Sequence, residues 1–130
     1  MIDLNLNHIG VVVPLNDIDR IEMATEGTFY RDETQGISFC FVWDKVLDCY
    51  VEYITQEGRA ENYCIGFNHI CYDVINYSVM KSIHKDITLN KKGFRLTFPE
   101  LSASSNCNLV TFYKIFNAGI IEYNILNADE

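Results

Sequence analysis

The chain has no basic cluster. Its 130 residues carry 10 Lys and Arg against 18 Asp and Glu, a net charge of −8, and Lys91-Lys92 is the only adjacent basic pair. A protein that binds nucleic acid without regard to sequence needs a basic face to displace counterions. No nucleic-acid partner is therefore expected, and the same charge disfavours an anionic membrane surface. No run approaches the ~20 apolar residues of a membrane span. Met1-Ile2-Asp3-Leu4-Asn5-Leu6-Asn7 has neither the basic flank nor the apolar stretch of a secretory leader. The cysteines (Cys40, Cys49, Cys64, Cys71 and Cys107) are odd in number and form no CxxC pair. Most sit in apolar runs, which points to buried free thiols in a reducing, cytoplasmic setting.

What is present suffices for a core. A hydrophobic fraction of 48% with 13% aromatics argues against disorder, and the length fits one domain spanning 1–130. Leu6 to Val13 is rich in β-branched residues and reads as a strand ended by Pro14. Leu15, Ile18 and Ile21 recur every three residues, predicting a short amphipathic helix over 15–24, with Asn16 or Asp17 as its cap and Gly27 beyond its end. Strands are expected over 28–32, 36–43 and 46–55, the last two joined by a turn at Asp44-Lys45. A polar connection from Gln56 to Gly66 follows. Then the pattern restarts: a strand over 67–74, a helix over 76–85 with Tyr77, Met80, Ile83 and His84 on one stripe, a short strand over 94–98 and a Ser/Asn-rich loop over 101–108. Strands over 109–116 and 119–126, joined across Asn117-Ala118, complete it.

The restart is also a repeat of residues. Asn7-His8-Ile9 returns as Asn68-His69-Ile70, and Val51-Glu52-Tyr53 returns as Ile121-Glu122-Tyr123. Each module, about 4–56 and about 66–127, opens on a strand with a histidine and closes on a strand with a glutamate. Duplication of one βαβββ unit accounts for this better than a solenoid.

Strand side chains alternate between faces. His8 therefore parts from Ile9 and Val11, and His69 shares its face with Cys71 and Asp73. Glu52 and Glu122 lie out of phase with their apolar neighbours. A buried carboxylate is costly unless paired or bound to a cation. A lone strand histidine usually packs or faces water, and a lone glutamate usually lies on a wet face. Their recurrence at matching module positions sets a shared divalent site beside those readings, with neither decided by the repeat alone. Two imidazoles and two carboxylates suit zinc, nickel, cobalt, manganese or iron. Asp73 and Cys71 are candidates for an acid/base role or for orienting a ligand side chain. His84 on its helix, Trp43 beside a turn and Glu33 before Gln35 are expected to stay outside the site.

These same residues resemble the vicinal oxygen chelate superfamily, which includes glyoxalase I, and more closely its methylmalonyl-CoA epimerase-like branch. The likeness runs through Leu6-Asn7-His8-Ile9-Gly10-Val11-Val12-Val13-Pro14, Gln35-Gly36-Ile37, Val51-Glu52-Tyr53-Ile54, Gly66 to Val74 and Gly119-Ile120-Ile121-Glu122. It implies an α+β fold: two tandem βαβββ modules forming a cup-shaped, open-barrel sheet, with one divalent metal held by His8, Glu52, His69 and Glu122. It also implies a metal-dependent isomerase or lyase acting on a small carbonyl compound or acyl thioester through a metal-stabilised enolate, with Glu122 or Glu52 as the catalytic base. A homodimer is expected, since members of this superfamily often pair. The alternative on the same fold is a noncatalytic protein, either a small-molecule-binding resistance type or a pathway accessory. Three features depart from the family: the first helix is short, Ser102-Ala103-Ser104-Ser105-Asn106 replaces a Gly-rich loop, and Phe39 stands where some epimerases carry a second catalytic carboxylate.

Overall fold

The computed structural model describes residues 4–101 and 108–128. Ser102 to Cys107, and with them most of the expected Ser/Asn loop, lie outside the described residues, as does the Met1–Asp3 end. The chain is α+β, and it divides into two compact units, residues 8–68 and residues 69–130 with 1–7. Among the described residues there are nine strands and two α-helices.

The first half runs β1 (Asn5–Val13), α1 (Ile18–Thr25), β2 (Tyr30–Asp32), β3 (Ile37–Asp44) and β4 (Cys49–Thr55). Its strands lie in the order β2-β3-β4-β1. The sheet is antiparallel except for β1 and β4, the first and last strands, which run parallel with His8 opposite Tyr50, Gly10 opposite Glu52 and Val12 opposite Ile54. A single turn of 3-10 helix over Leu15–Asp17 precedes α1. No residue of α1 is buried, and Leu15 is half exposed, so the expected apolar stripe packs only partly. Neither Asn16 nor Asp17 caps the helix with its side chain. Asp17 takes the cap position, but its backbone N–H bonds Pro14 O at 3.0 Å instead. The β3–β4 turn also differs from the expected two-residue hairpin, because it spans residues 45–48. Asp44 Oδ1 accepts from the N–H groups of Val46 and Leu47, both at 2.9 Å, and Asp48 sits in the left-handed region at φ 57°. The aspartate side chain nucleates a wider turn than backbone pairing alone would close.

The second half runs β5 (Gly66–Asn76), α2 (Tyr77–Leu89), β6 (Gly93–Arg95), β7 (Glu100–Leu101), β8 (Leu109–Ile115) and β9 (Gly119–Asn127). The order is β5-β9-β8-β6, with the two-residue β7 added beside β8. Here too the first and last strands pair in parallel. Asn76 caps α2 by accepting from Val79 N–H at 2.9 Å. The helix continues a turn beyond the expected end at residue 85, because Ile87 extends the buried stripe of Met80 and Ile83. These three pack on Tyr113, Ile115, Ile121, Tyr123 and Ile125, which project from one sheet face to form the core of this half. The opposite face carries the odd residues of β5 and the even residues of β9.

Candidate metal centre

Matching registers place a histidine and a glutamate together in each half. In the first half Glu52 lies across from Gly10, two residues beyond His8. In the second Glu122 lies across from Cys71, two residues beyond His69. Parallel neighbours share a face, so the carboxylate reaches diagonally to the imidazole. His8 Nε2 lies 3.2 Å from Glu52 Oε1, and His69 Nε2 lies 3.1 Å from Glu122 Oε1. Both histidines and Glu122 are buried, and the Glu52 side chain is 12% exposed.

Each pair has an aromatic wall that the sequence reading did not single out. Phe41 faces Glu52 across β3–β4 and meets the His8 ring edge-on at 5.1 Å. Phe112 faces Glu122 across β8–β9 and meets the His69 ring edge-on at 5.7 Å. The repeated unit is thus a trio of His, Glu and Phe. The only signal for the phenylalanines was an aromatic at a similar distance before each glutamate. Phe39, on the same face of β3 as Phe41, continues the wall with ring centroids 6.1 Å apart. An aromatic ring therefore stands where a second carboxylate was looked for.

In chemistry the donors fit a divalent ion. Imidazole nitrogen and carboxylate oxygen are ordinary ligands of zinc and its first-row neighbours. Each half supplies one of each. The apolar rings against each imidazole limit water and fix the ring planes.

Asp73 and Cys71, the remaining candidates, share the face of His69. Cys71 is buried directly across from Glu122. Asp73 lies across from Asn124 and gathers two amides, with Asn7 Nδ2 and Asn124 Nδ2 both donating to its Oδ1 at 3.0 Å. Asn124 was not anticipated. Its side chain is buried, and its Oδ1 has no hydrogen-bond partner among the described residues. An orphaned buried acceptor costs about 1–3 kcal/mol.

Trp43, Glu33 and His84 belong to neither His–Glu pair. Trp43 is half exposed and meets Tyr50 edge-on at 5.1 Å. Glu33 is exposed. His84, on the helix side, has Nδ1 2.7 Å from Tyr113 Oη, which also accepts from Arg95 Nε at 3.1 Å. Burial, reinforced by the Arg95 charge, pushes the His84 pKa down.

No protein-family model matches the chain, and no curated protein matches its sequence. Solved structures do match over nearly its whole length. A hypothetical protein from Bacillus halodurans superposes with a TM-score of 0.68 at 16% identity, covering 98% of this chain and 96% of that one. Methylmalonyl-CoA epimerase from Mycobacterium tuberculosis gives 0.65 at 13% identity, covering 97% and 89%. The chain has the vicinal oxygen chelate fold. A variant of 4-hydroxymandelate synthase from Streptomyces coelicolor has the same fold, with a TM-score of 0.59 at 12% identity, and covers 98% of this chain but 50% of that one. Among the described residues no helix is long and apolar enough to cross a membrane.

Proposed function

We propose that this single domain is a metal-dependent isomerase or lyase, with His8, Glu52, His69 and Glu122 as the ligands of one divalent ion. The observation that carries the reading is the repeated register: each half joins a buried histidine to a glutamate through the same parallel strand pair. The neighbours on this fold include an epimerase and a synthase, and a variant of the methylmalonyl-CoA epimerase from Streptomyces coelicolor is in complex with 2-nitronate-propionyl-CoA. The substrate class proposed here is a small carbonyl compound or acyl thioester. A bound divalent ion would supply Lewis-acid polarisation of the carbonyl oxygen.

The chain's own residues do the rest. A carboxylate oxygen of Glu122 or Glu52, each beside the imidazole of its own half, takes the proton from the carbon beside the carbonyl and returns it to the rearranged product. Phe112 and Phe41 keep bulk water from that proton. Phe39 offers no second base, which favours proton transfer on one face, or elimination, over a two-base epimerisation. The run of Tyr30, Phe39 and Phe41 in ring contact supports the second reading, a noncatalytic protein that binds a flat apolar compound. We also propose a homodimer, with the exposed side chains of Trp43, Val46 and Leu47 among the candidates for its contact.

The test incubates metal-loaded protein in deuterated water with 2-methyl acyl thioesters and hemithioacetals. Metal-dependent deuterium uptake beside the carbonyl, abolished in Glu122→Gln, is expected. Absence of exchange, together with metal-independent ligand binding, would replace the enzyme with the binding protein. Light scattering checks the dimer.

A further inference from the structure

Two residues past each glutamate, the halves part company. In the first half the pair of residues facing each other there is Val12 and Ile54, both apolar and buried. In the second half the same register positions hold Asp73 and Asn124. The fold does not require a polar pair at this point, because its own repeat fills the point with hydrocarbon. Nor is the polar pair satisfied internally. Both amides converge on Asp73 Oδ1, and the bond from Asn124 Nδ2 fixes that amide so that its Oδ1 turns away, buried and without a partner. Asn124 is 7% exposed. Buried acceptors in this state call for an occupant with a donor.

The geometry points to Asp73 and Asn124 as a ligand subsite that takes a hydrogen-bond donor, best a cationic one such as an ammonium. Asn124 Oδ1 and the Asp73 carboxylate are both acceptors, and the carboxylate adds a negative charge. They share a face with His69 and Glu122: Asn124 lies two residues beyond Glu122 along β9, about 6.5 Å at the usual strand rise, and Asp73 lies four beyond His69 along β5, about 13 Å. A ligand held by its carbonyl end beside Glu122 would therefore place a donor at Asn124 across a chain of about four methylenes, which spans about that 6.5 Å. Asn7, donating to Asp73, holds the carboxylate in position and leaves Asn124 Oδ1 unoccupied. This assignment names the substrate class for the proposed site and rests on the proposed metal reading.

The test titrates zinc-loaded protein calorimetrically with pentanohydroxamate and with 5-aminopentanohydroxamate, which differ only in the terminal ammonium. The amino compound is expected to bind at least about tenfold more tightly, the worth of one charge-assisted hydrogen bond. That advantage should vanish in Asp73→Asn, which keeps the shape and removes the charge. It should also vanish in the double variant Asp73→Val with Asn124→Ile, which copies the first half, while pentanohydroxamate binds both variants as it binds the wild type. Equal binding of the two compounds by the wild type, or an advantage that survives both variants, would overturn the subsite and leave the metal reading standing. Zinc-loaded protein that takes up neither compound would overturn the subsite alone, and a chain that holds no zinc would overturn the metal reading with it.

Discussion

The two halves use one plan with different supports. Each sets His, Glu and Phe on one sheet face through the same parallel strand pair, yet the helix behind the sheet is not equivalent. In the second half α2 has 13 residues and drives Met80, Ile83 and Ile87 into the core. In the first half α1 has eight residues and buries none of them. There the core residues Ile37, Ile54 and Ala60 come from the strands and from the connection after β4. The difference shows that the site depends on strand register, which both halves keep, and not on the helix, which one half nearly lacks.

The largest test of that comparison is stability. Ile87→Ala should cost about 2–5 kcal/mol by urea unfolding, as buried large-to-small substitutions do. Met23→Ala, at an exposed position of α1, should stay within about 0.5 kcal/mol. Similar costs at both would mean that the helices carry equal loads. Next comes the metal. His8→Ala and His69→Ala should each weaken zinc binding by about 100-fold or more, at least the effect of disturbing a ligand's supporting partner. Competition with a chromophoric chelator measures it, and a loss in one half alone would show that only that half's pair binds.

A smaller effect is expected at Tyr113, whose hydroxyl joins His84 and Arg95 behind the sheet. Tyr113→Phe should cost about 0.5–1.5 kcal/mol, because it removes a hydroxyl bonded to two half-buried partners. The corresponding β3 position, Val42, has no hydroxyl to lose. The smallest effect belongs to Glu57 in the first half. Burial raises its pKa, but the Thr55 hydroxyl and the Arg31 guanidinium more than offset this and hold it below the usual 4.5. A carboxylate depressed in the folded state stabilises above its unfolded pKa, and that contribution is lost as pH falls through the folded value. Melting temperatures of wild type should therefore drop more steeply below about pH 4.5 than those of Glu57→Gln; parallel curves would remove Glu57 from the acid response.

How far the sequence could be read follows from which property each residue depends on. The histidines and glutamates were legible because strand alternation and internal repetition act within one segment. So was the pair of β–α starts, each marked by its β-branched run. Cross-strand partners were not legible, because they depend on turn length. A two-residue turn at Asp44-Lys45 would have set Glu52 opposite Ile37, whereas the wider turn sets it opposite Phe41. Likewise a turn at Asn117-Ala118 would have faced Glu122 with Tyr113, but the strands close at Ile115 and Gly119, and Phe112 takes that place. Asn124 was missed for the same reason: its role exists only across from Asp73. The weak packing of α1 was hidden because a three-residue apolar spacing describes a face without saying what covers it.

The parallel pairing of the first and last strands has a kinetic consequence. In each half the histidine and the glutamate come from opposite ends of the module, so neither pair can form until the whole intervening chain has closed its loop. Loop closure of this kind is paid in entropy before any contact rewards it, and chains rich in such distant contacts fold in milliseconds to seconds rather than microseconds. The hairpins of β3–β4 and β8–β9 can form early and locally, each already carrying its Phe and Glu. Loop-closure entropy thus favours docking of the histidine strands after these hairpins, so assembly of the His–Glu pairs is expected late in folding, with few nitrogen ligands for an ion to organise before then.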